Sequence, residues 1–311
     1  MKKTVLVTGG AGFIGSWVTE ELCNLGRSVR VIDNLSFGFR KFVDKRAEFI
    51  NGSIGDRKLI EDVLDGVDTV MHLAASSIIK FSFNKPEEYF ENNITNALVL
   101  LEAMRKKGVN KIVNSSSAAI YGEPVSIPIE EADPKEPITP YGASKLSFEN
   151  ILSSYYHSFG IESVSLRYFN AYGPRDEQQP TTRAVPIWIR QILKGKPVSL
   201  YWKGKQVRDY VFVKDIARAH TAVLPLRGFR VYNIGSGDGV LMTDILQSLS
   251  KISEKKIVIQ DMGERKGDPK KLVADISRIR RDVGWIAKTD LVSGLRETYE
   301  YYESVYKSNL R

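Results

Sequence analysis

Four glycines fall within the seven positions from Gly9 to Gly15, directly behind the apolar run Val5-Leu6-Val7, and they narrow what the start of this chain can fold into. A strand must stop there and the backbone must turn sharply, while the apolar spacing from Phe13 onward fits a helix that begins inside the same segment. Gly10, Gly12 and Gly15 carry the spacing G-x-G-x-x-G. At such a junction glycine permits a tight turn, a close approach of ligand to backbone, and tight packing of helix on strand. The first N–H groups of the helix then converge on one spot and favour an anion such as a diphosphate.

The alternation of strand and helix continues. Strand-like runs near 3–7, 28–32, 47–51, 68–72, 111–115 and 162–167 alternate with helical spacing near 13–25, 57–65, 87–107 and 141–159. This is the pattern of an α/β fold with a doubly wound parallel sheet. Beyond about residue 170, Pro174, Pro180, Pro186 and Pro197 break the chain into shorter elements, which predicts a smaller mixed α/β cap. Strand character returns at Asp209 to Val213 and Val231 to Ile234, so the chain is expected to revisit its first unit. The expected division is 1–168 with 209–235 returning to it, and 169–208 with 236–311 as the cap; 311 residues suffice for two such units.

Several classes are excluded. No apolar run approaches the roughly 20 residues of a membrane-spanning helix. The opening Met1-Lys2-Lys3-Thr4 leads straight into the first strand with no signal-like apolar stretch, so a cytoplasmic location is expected. The single cysteine, Cys23, can form neither an internal disulfide nor a thiolate metal cluster, and no metal site is expected. Lys and Arg exceed Asp and Glu by 45 to 37, a net charge of +8, but the basic clusters are interleaved with acids. That pattern reads as solvated surface rather than as a nucleic-acid or membrane face.

The second strand ends at Asp33, in position to accept hydrogen bonds from an adenosine ribose. Together with the glycine turn it predicts a dinucleotide, and an acid there repels a 2′-phosphate, which favours NAD over NADP; Arg40 and Lys41, close by in sequence, pull the other way. The strand near 111–115 runs into Ser115-Ser116-Ser117-Ala118-Ala119-Ile120-Tyr121-Gly122, placing hydroxyls at the carboxyl edge of the sheet, where such folds bind ligands. Further on, Pro140-Tyr141-Gly142-Ala143-Ser144-Lys145 sets Tyr141 and Lys145 four apart, on one face of a long helix. The same spacing occurs at Tyr201 and Lys205 and at Tyr210 and Lys214, so position decides: only the pair at 141 and 145 opens a long helix after a hydroxyl-bearing strand end. An ammonium and a cationic nicotinamide beside a tyrosine favour its phenolate, which can take a proton from an alcohol that Ser117 holds.

These residues, with Leu166-Arg167-Tyr168-Phe169-Asn170, resemble the extended short-chain dehydrogenase/reductase family, and within it the nucleotide-sugar epimerases typified by UDP-glucose 4-epimerase. The resemblance spans nearly the whole chain. It implies a Rossmann domain for NAD, a C-terminal cap for a UDP-sugar, and a homodimer through the helices near 87–107 and 141–159. It makes Ser117, Tyr141 and Lys145 catalytic. To the cofactor it assigns Gly9, Gly12, Phe13, Ile14, Gly15, Asp33, Asn34, Ser36, Gly38, Ser53, Ile54, Leu73, Ala74, Ala75, Asn93, Ser115 and Tyr168, with Tyr141 and Lys145 beside them. His72, at the end of the fourth strand, is structural in this family.

To the substrate the resemblance assigns Ser117, Asn170, Arg208, Arg265, Asp268 and Leu272, the two arginines clamping the diphosphate and Asp268 the nucleotide ribose. Two departures bear on chemistry. Ser53 stands where many relatives carry an aspartate toward the adenine, and Ala118 and Ala119 stand where relatives that dehydrate or decarboxylate the sugar carry an acid. The implied reaction is 4-epimerisation of a UDP-hexose: Tyr141 takes the 4-hydroxyl proton as hydride leaves C4, the 4-keto sugar turns over, and hydride returns to the other face. Leu272 replaces a tyrosine that narrows the family's pocket, so UDP-N-acetylgalactosamine is expected to enter beside UDP-galactose. Uracil and thymine are not separated by these residues. The other readings are a UDP-uronic acid epimerase, a 4,6-dehydratase or a decarboxylase of the same fold, or a non-catalytic NAD-sensing protein.

Overall fold

The computed structural model describes residues 4–178, 182–264 and 269–308. Its first part is a ladder of parallel strands: β1 (Thr4–Thr8), β2 (Ser28–Asp33), β3 (Glu48–Asn51), β4 (Val67–His72), β5 (Lys111–Ser117) and β6 (Glu162–Tyr168). Between them run α1 (Phe13–Asn24), α2 (Arg57–Val63), α3 (Ile79–Asn84), α4 (Pro86–Phe90), α5 (Asn96–Lys107) and α6 (Pro140–Phe159). After the short β7 (Asn170–Tyr172) come α7 (Ala184–Leu193), β8 (Val198–Leu200), β9 (Val207–Phe212), α8 (Val213–Ala222) and β10 (Phe229–Ile234). The chain finishes with β11 (Gly239–Leu241), α9 (Met242–Ser253), β12 (Ile259–Asp261), β13 (Lys271–Leu272), α10 (Ser277–Val283) and α11 (Leu291–Ser308).

Seven of these strands form one sheet in the order β10-β6-β5-β4-β1-β2-β3, every pair parallel. Strand order reverses between β1 and β4, and ligands of such sheets bind at the carboxyl ends beside that reversal. Strands buried on both faces need apolar residues at successive positions rather than alternate ones. In β1, Val5 and Val7 pack into one cluster with Val18 and Leu22 of α1 and Ile216 of α8, while Leu6 packs into the opposite one with Leu100 and Met104 of α5 and Phe148 of α6. A third cluster joins Trp188 and Ile189 of α7, Leu246 and Leu249 of α9, and Leu295 and Tyr299 of α11.

Two expectations need correction. The helix expected over 87–107 is α4 and α5 separated by a π-helical turn, Glu91–Thr95, and α3 precedes them. The wider turn carries Asn93 inward, where its side chain accepts from Ser76 N at 2.8 Å and donates to Ser76 O and to Ser144 Oγ at 3.1 and 3.0 Å. Turns of this kind recur at functional sites. The strand expected at 209–213 is β9, and it pairs with β7, β11 and β13 in a small four-stranded sheet instead of joining the large one. Its faces explain this, because Tyr210 and Phe212 belong to the third cluster while Val211 belongs to the first. The chain regains the large sheet through α8, packed on α1, and through β10, paired with β6.

Candidate functional site

One cleft of about 500 Å³ opens at the carboxyl ends of the central strands. Its floor is the glycine turn. A Cβ on Gly15 would lie 2.1 Å from Gly9 O, one on Gly9 2.6 Å from Ala74 N, and one on Gly38 2.8 Å from Ala11 C. Real Cβ contacts are never that short, so glycine is demanded by the packing of turn, β4 end and 34–39 loop. Gly12 caps α1 without any side-chain hydrogen bond, which leaves the first-turn N–H groups of the helix to a ligand. A Cβ on Gly12 would meet protein only at Gly9 O, 3.2 Å away, so the space in front of it belongs to the cleft. A dinucleotide diphosphate fits that cradle.

Asp33 ends β2 buried, its two oxygens accepting from Ala11 N at 3.0 Å and Leu35 N at 2.8 Å. Burial pushes its carboxyl up and the two amides hold it down. Asn34, Ser36, Ser53 and Ile54 line the cleft beside it, and Leu73, Ala74 and Ala75 line it after β4. Asn93 does not line the cleft; it stands behind, tying the 76 loop to α6 next to Lys145.

The strand β5 ends in alternating hydroxyls, so Ser115 and Ser117 share a face and Ser116 takes the other. Ser115 Oγ donates to Tyr168 Oη at 2.8 Å, and Ser116 Oγ donates to Glu149 at 2.5 Å. Thr139 caps α6, accepting from Gly142 N at 2.9 Å, with Pro140 at the first helical position, a favourable start for a helix. That start aims Tyr141 and Lys145 into the cleft, where Ser117, Tyr168 and Asn170 also stand. Tyr141 is buried and hydrogen-bonded to Ser117; burial raises its pKa, and the Ser117 bond and the charge of Arg183 oppose the rise. Lys145 donates to Ser115 O at 2.9 Å, its Nζ lies 6.0 Å from the centre of the Tyr141 ring, and burial lowers its pKa to about 8 against the pull of Glu149.

Arg208 of β9 and Leu272 of β13 line the same cleft. Arg265 and Asp268 lie outside the described residues. The cleft also gathers residues that no motif announced, among them Arg175, Thr182 and Arg183 ahead of α7. Arg183 in particular bears on Tyr141, a side chain 42 positions away in sequence, and only the fold brings the two to one wall.

Two histidines flank the site without entering it. His72 meets Thr8 Oγ1 through Nδ1 at 2.9 Å, and His220 of α8 meets the Tyr168 hydroxyl through Nε2. Burial lowers both to about 3, with Lys145 adding to the effect at His72. Below pH 6.5 the unfolded chain binds protons that the folded one refuses, so stability is lost as pH falls from about 6.5 toward 3. The expected cost is about 1.4 kcal/mol per histidine for each unit below 6.5. Urea unfolding at pH 7.5 and 5.5 checks it, and equal stability at the two values would contradict the burial of neutral rings.

Comparison with known proteins agrees with this geometry. Residues 5–235 match the NAD dependent epimerase/dehydratase family. The chain is 39% identical to a UDP-glucose 4-epimerase of Azospirillum brasilense over 311 residues, 94% of this chain and 89% of that one. Among solved structures it is similar to UDP-glucose 4-epimerase of Thermotoga maritima with UDP-glucose, at a TM-score of 0.92 and 37% identity, covering 97% of this chain and 99% of that one. It is similar also to UDP-N-acetylglucosamine 4-epimerase of Methanobrevibacter ruminantium in complex with UDP-N-acetylmuramic acid, at 0.93 and 35%, covering 98% of this chain and 100% of that one. With the glycine cradle, the seven parallel strands and the match over 5–235 in agreement, the chain belongs to the NAD dependent epimerase/dehydratase family.

Proposed function

We propose that this protein is an NAD-dependent nucleotide-sugar 4-epimerase that interconverts UDP-galactose and UDP-glucose. The observation that carries the reading is the convergence of Ser117, Tyr141 and Lys145 on one wall of the cleft whose floor is the glycine cradle. When bound, NAD supplies a reversible hydride acceptor at sugar C4. The large sheet with α8 and β10 would hold it, through the glycine turn, Asp33 and the 34–38 loop, and the small sheets with α7, α9 and α11 would hold the sugar nucleotide. Tyr141 takes the proton of the 4-hydroxyl and gives it back, while Ser117 holds the oxygen at which that proton moves. The Lys145 ammonium, charged below about pH 8, favours the phenolate of Tyr141. Arg208, with Arg265, steadies the diphosphate while the rest of the sugar turns.

Among the described residues, elimination chemistry finds no acid at the positions after Ser117. Among the described residues that line the cleft the only carboxylate is Asp33, at the ribose end, and Ala118 and Ala119 face the reacting end. Leu272 lines the sugar end, and a neighbour that acts on an N-acetylated sugar shares the fold. UDP-N-acetylgalactosamine should therefore be epimerised within about tenfold of the UDP-galactose rate, since one hydrophobic pocket contact discriminates by roughly that much. Parallel rate measurements on the two sugars test this, and a negligible rate with the acetylated one would sink it. We place the enzyme in the cytoplasm, where the unpaired Cys23 suits a reducing medium, as a homodimer through α5 and α6; light scattering on the purified protein tests the dimer.

A further inference from the structure

A dinucleotide and a nucleotide sugar each bring a diphosphate, so the filled cleft holds two doubly charged anions. The glycine turn answers the first with backbone dipoles alone. Among the described residues five cations line the cleft, Lys80, Lys145, Arg175, Arg183 and Arg208, and Lys80 is exposed on α3. Lys145 gives its ammonium to Ser115 O, Arg175 stacks 3.7 Å over the Trp17 ring and pairs with Glu20, and Arg208 stands at the substrate end. Arg183 is different. Its guanidinium carbon lies 5.2 Å from the centre of the ring of Phe13, the first residue of α1, so it overhangs the helix start that forms the cradle.

The guanidinium is held from behind. Its Nη1 donates to Asp176 Oδ1 at 2.8 Å, and Asp176 is 1% exposed, its carbonyl anchored by Tyr302 Oη at 2.6 Å and Arg190 Nη2 at 3.2 Å. Nε and Nη2 of Arg183 make no hydrogen bond among the described residues, the side chain keeps 32% of its surface open, and the residue lines the cleft. A planar fork at the wall of a cleft, with one nitrogen fixed to a buried acid and two donors uncommitted among the described residues, is suited to phosphate oxygens.

We infer that Arg183 is a diphosphate-binding residue, reaching from the cap segment ahead of α7 over the glycine turn to the dinucleotide. This rests on the NAD and UDP-sugar reading above. The nucleotide sugar's diphosphate is the other source of the same chemistry. The test is calorimetric binding of NAD and, separately, of UDP to cofactor-stripped wild-type, Arg183→Gln and Arg183→Lys proteins, with thermal unfolding as a control for folding. The expected result is NAD binding about tenfold weaker in Arg183→Gln, the loss of one charge-assisted hydrogen bond, with part of it recovered by lysine and UDP unchanged. A loss confined to UDP would keep Arg183 as a diphosphate ligand but move it to the sugar nucleotide. Unchanged affinity for both, in variants that fold like the wild type, overturns the inference; wild-type protein that binds no NAD would overturn the cofactor reading instead.

Discussion

Tyr141→Phe should lower kcat by about 10²- to 10⁴-fold, the usual worth of a positioned acid-base group, while KM for UDP-galactose stays close to the wild-type value. The hydroxyl acts on a proton that moves only as the sugar is oxidised, so its loss falls on the transition state rather than on binding. The ring remains, edge-on to Tyr89 at 6.4 Å and buried, so unfolding temperature and bound NAD should hardly change. In the ligand-free protein burial keeps the Tyr141 phenol above its ordinary pKa, and it should stay protonated at neutral pH. A variant that turns over UDP-galactose at the wild-type rate would remove Tyr141 from the chemistry.

Gly15→Ala should damage both the fold and cofactor binding. The new methyl would sit 2.1 Å from Gly9 O and 2.9 Å from Gly9 C, both backbone atoms of the tightest part of the turn, so α1 must move away from β1. Overpacking against backbone costs about 3 kcal/mol, and the shift opens the cradle, so the purified variant should carry little or no NAD. Gly26→Ala is the control: its φ of +72° is strained for alanine, but nothing lies within 4 Å. It should cost about 1 kcal/mol, the price of left-handed backbone, and leave NAD in place. Denaturant unfolding and the nucleotide content of the two proteins separate these outcomes. Equal NAD content in Gly15→Ala and wild type would contradict the cradle.

What could be read from the sequence is what lies contiguous in it. The glycine turn, the hydroxyl-bearing end of β5, and Tyr141 with Lys145 are each set by a few neighbouring residues whose geometry is local, and all line the cleft. The large sheet was legible for the same reason, since its strands are apolar on both faces and alternate with helices. The rest depends on contacts made at a distance. The π turn at Asn93 is a slip of one residue in a helical pattern, too small to disturb the apolar spacing of 87–107. The placement of β9 turns on which cluster each of its faces meets, and a strand pattern alone does not tell one sheet from another. Arg183 and His220 have no local signature, because Asp176, Phe13 and Tyr168 reach them only through the fold.

On this mechanism the sugar is oxidised at C4 and reduced again by the same hydride within one cleft. A proton NMR time course of the purified protein on UDP-galactose in deuterium oxide, without added NAD, follows both steps at once. The gluco anomeric signal should grow at the expense of the galacto one, and the product should keep protium at C4. Failure to convert UDP-galactose even after NAD is supplied, or deuterium appearing at C4 of the product, would contradict the mechanism.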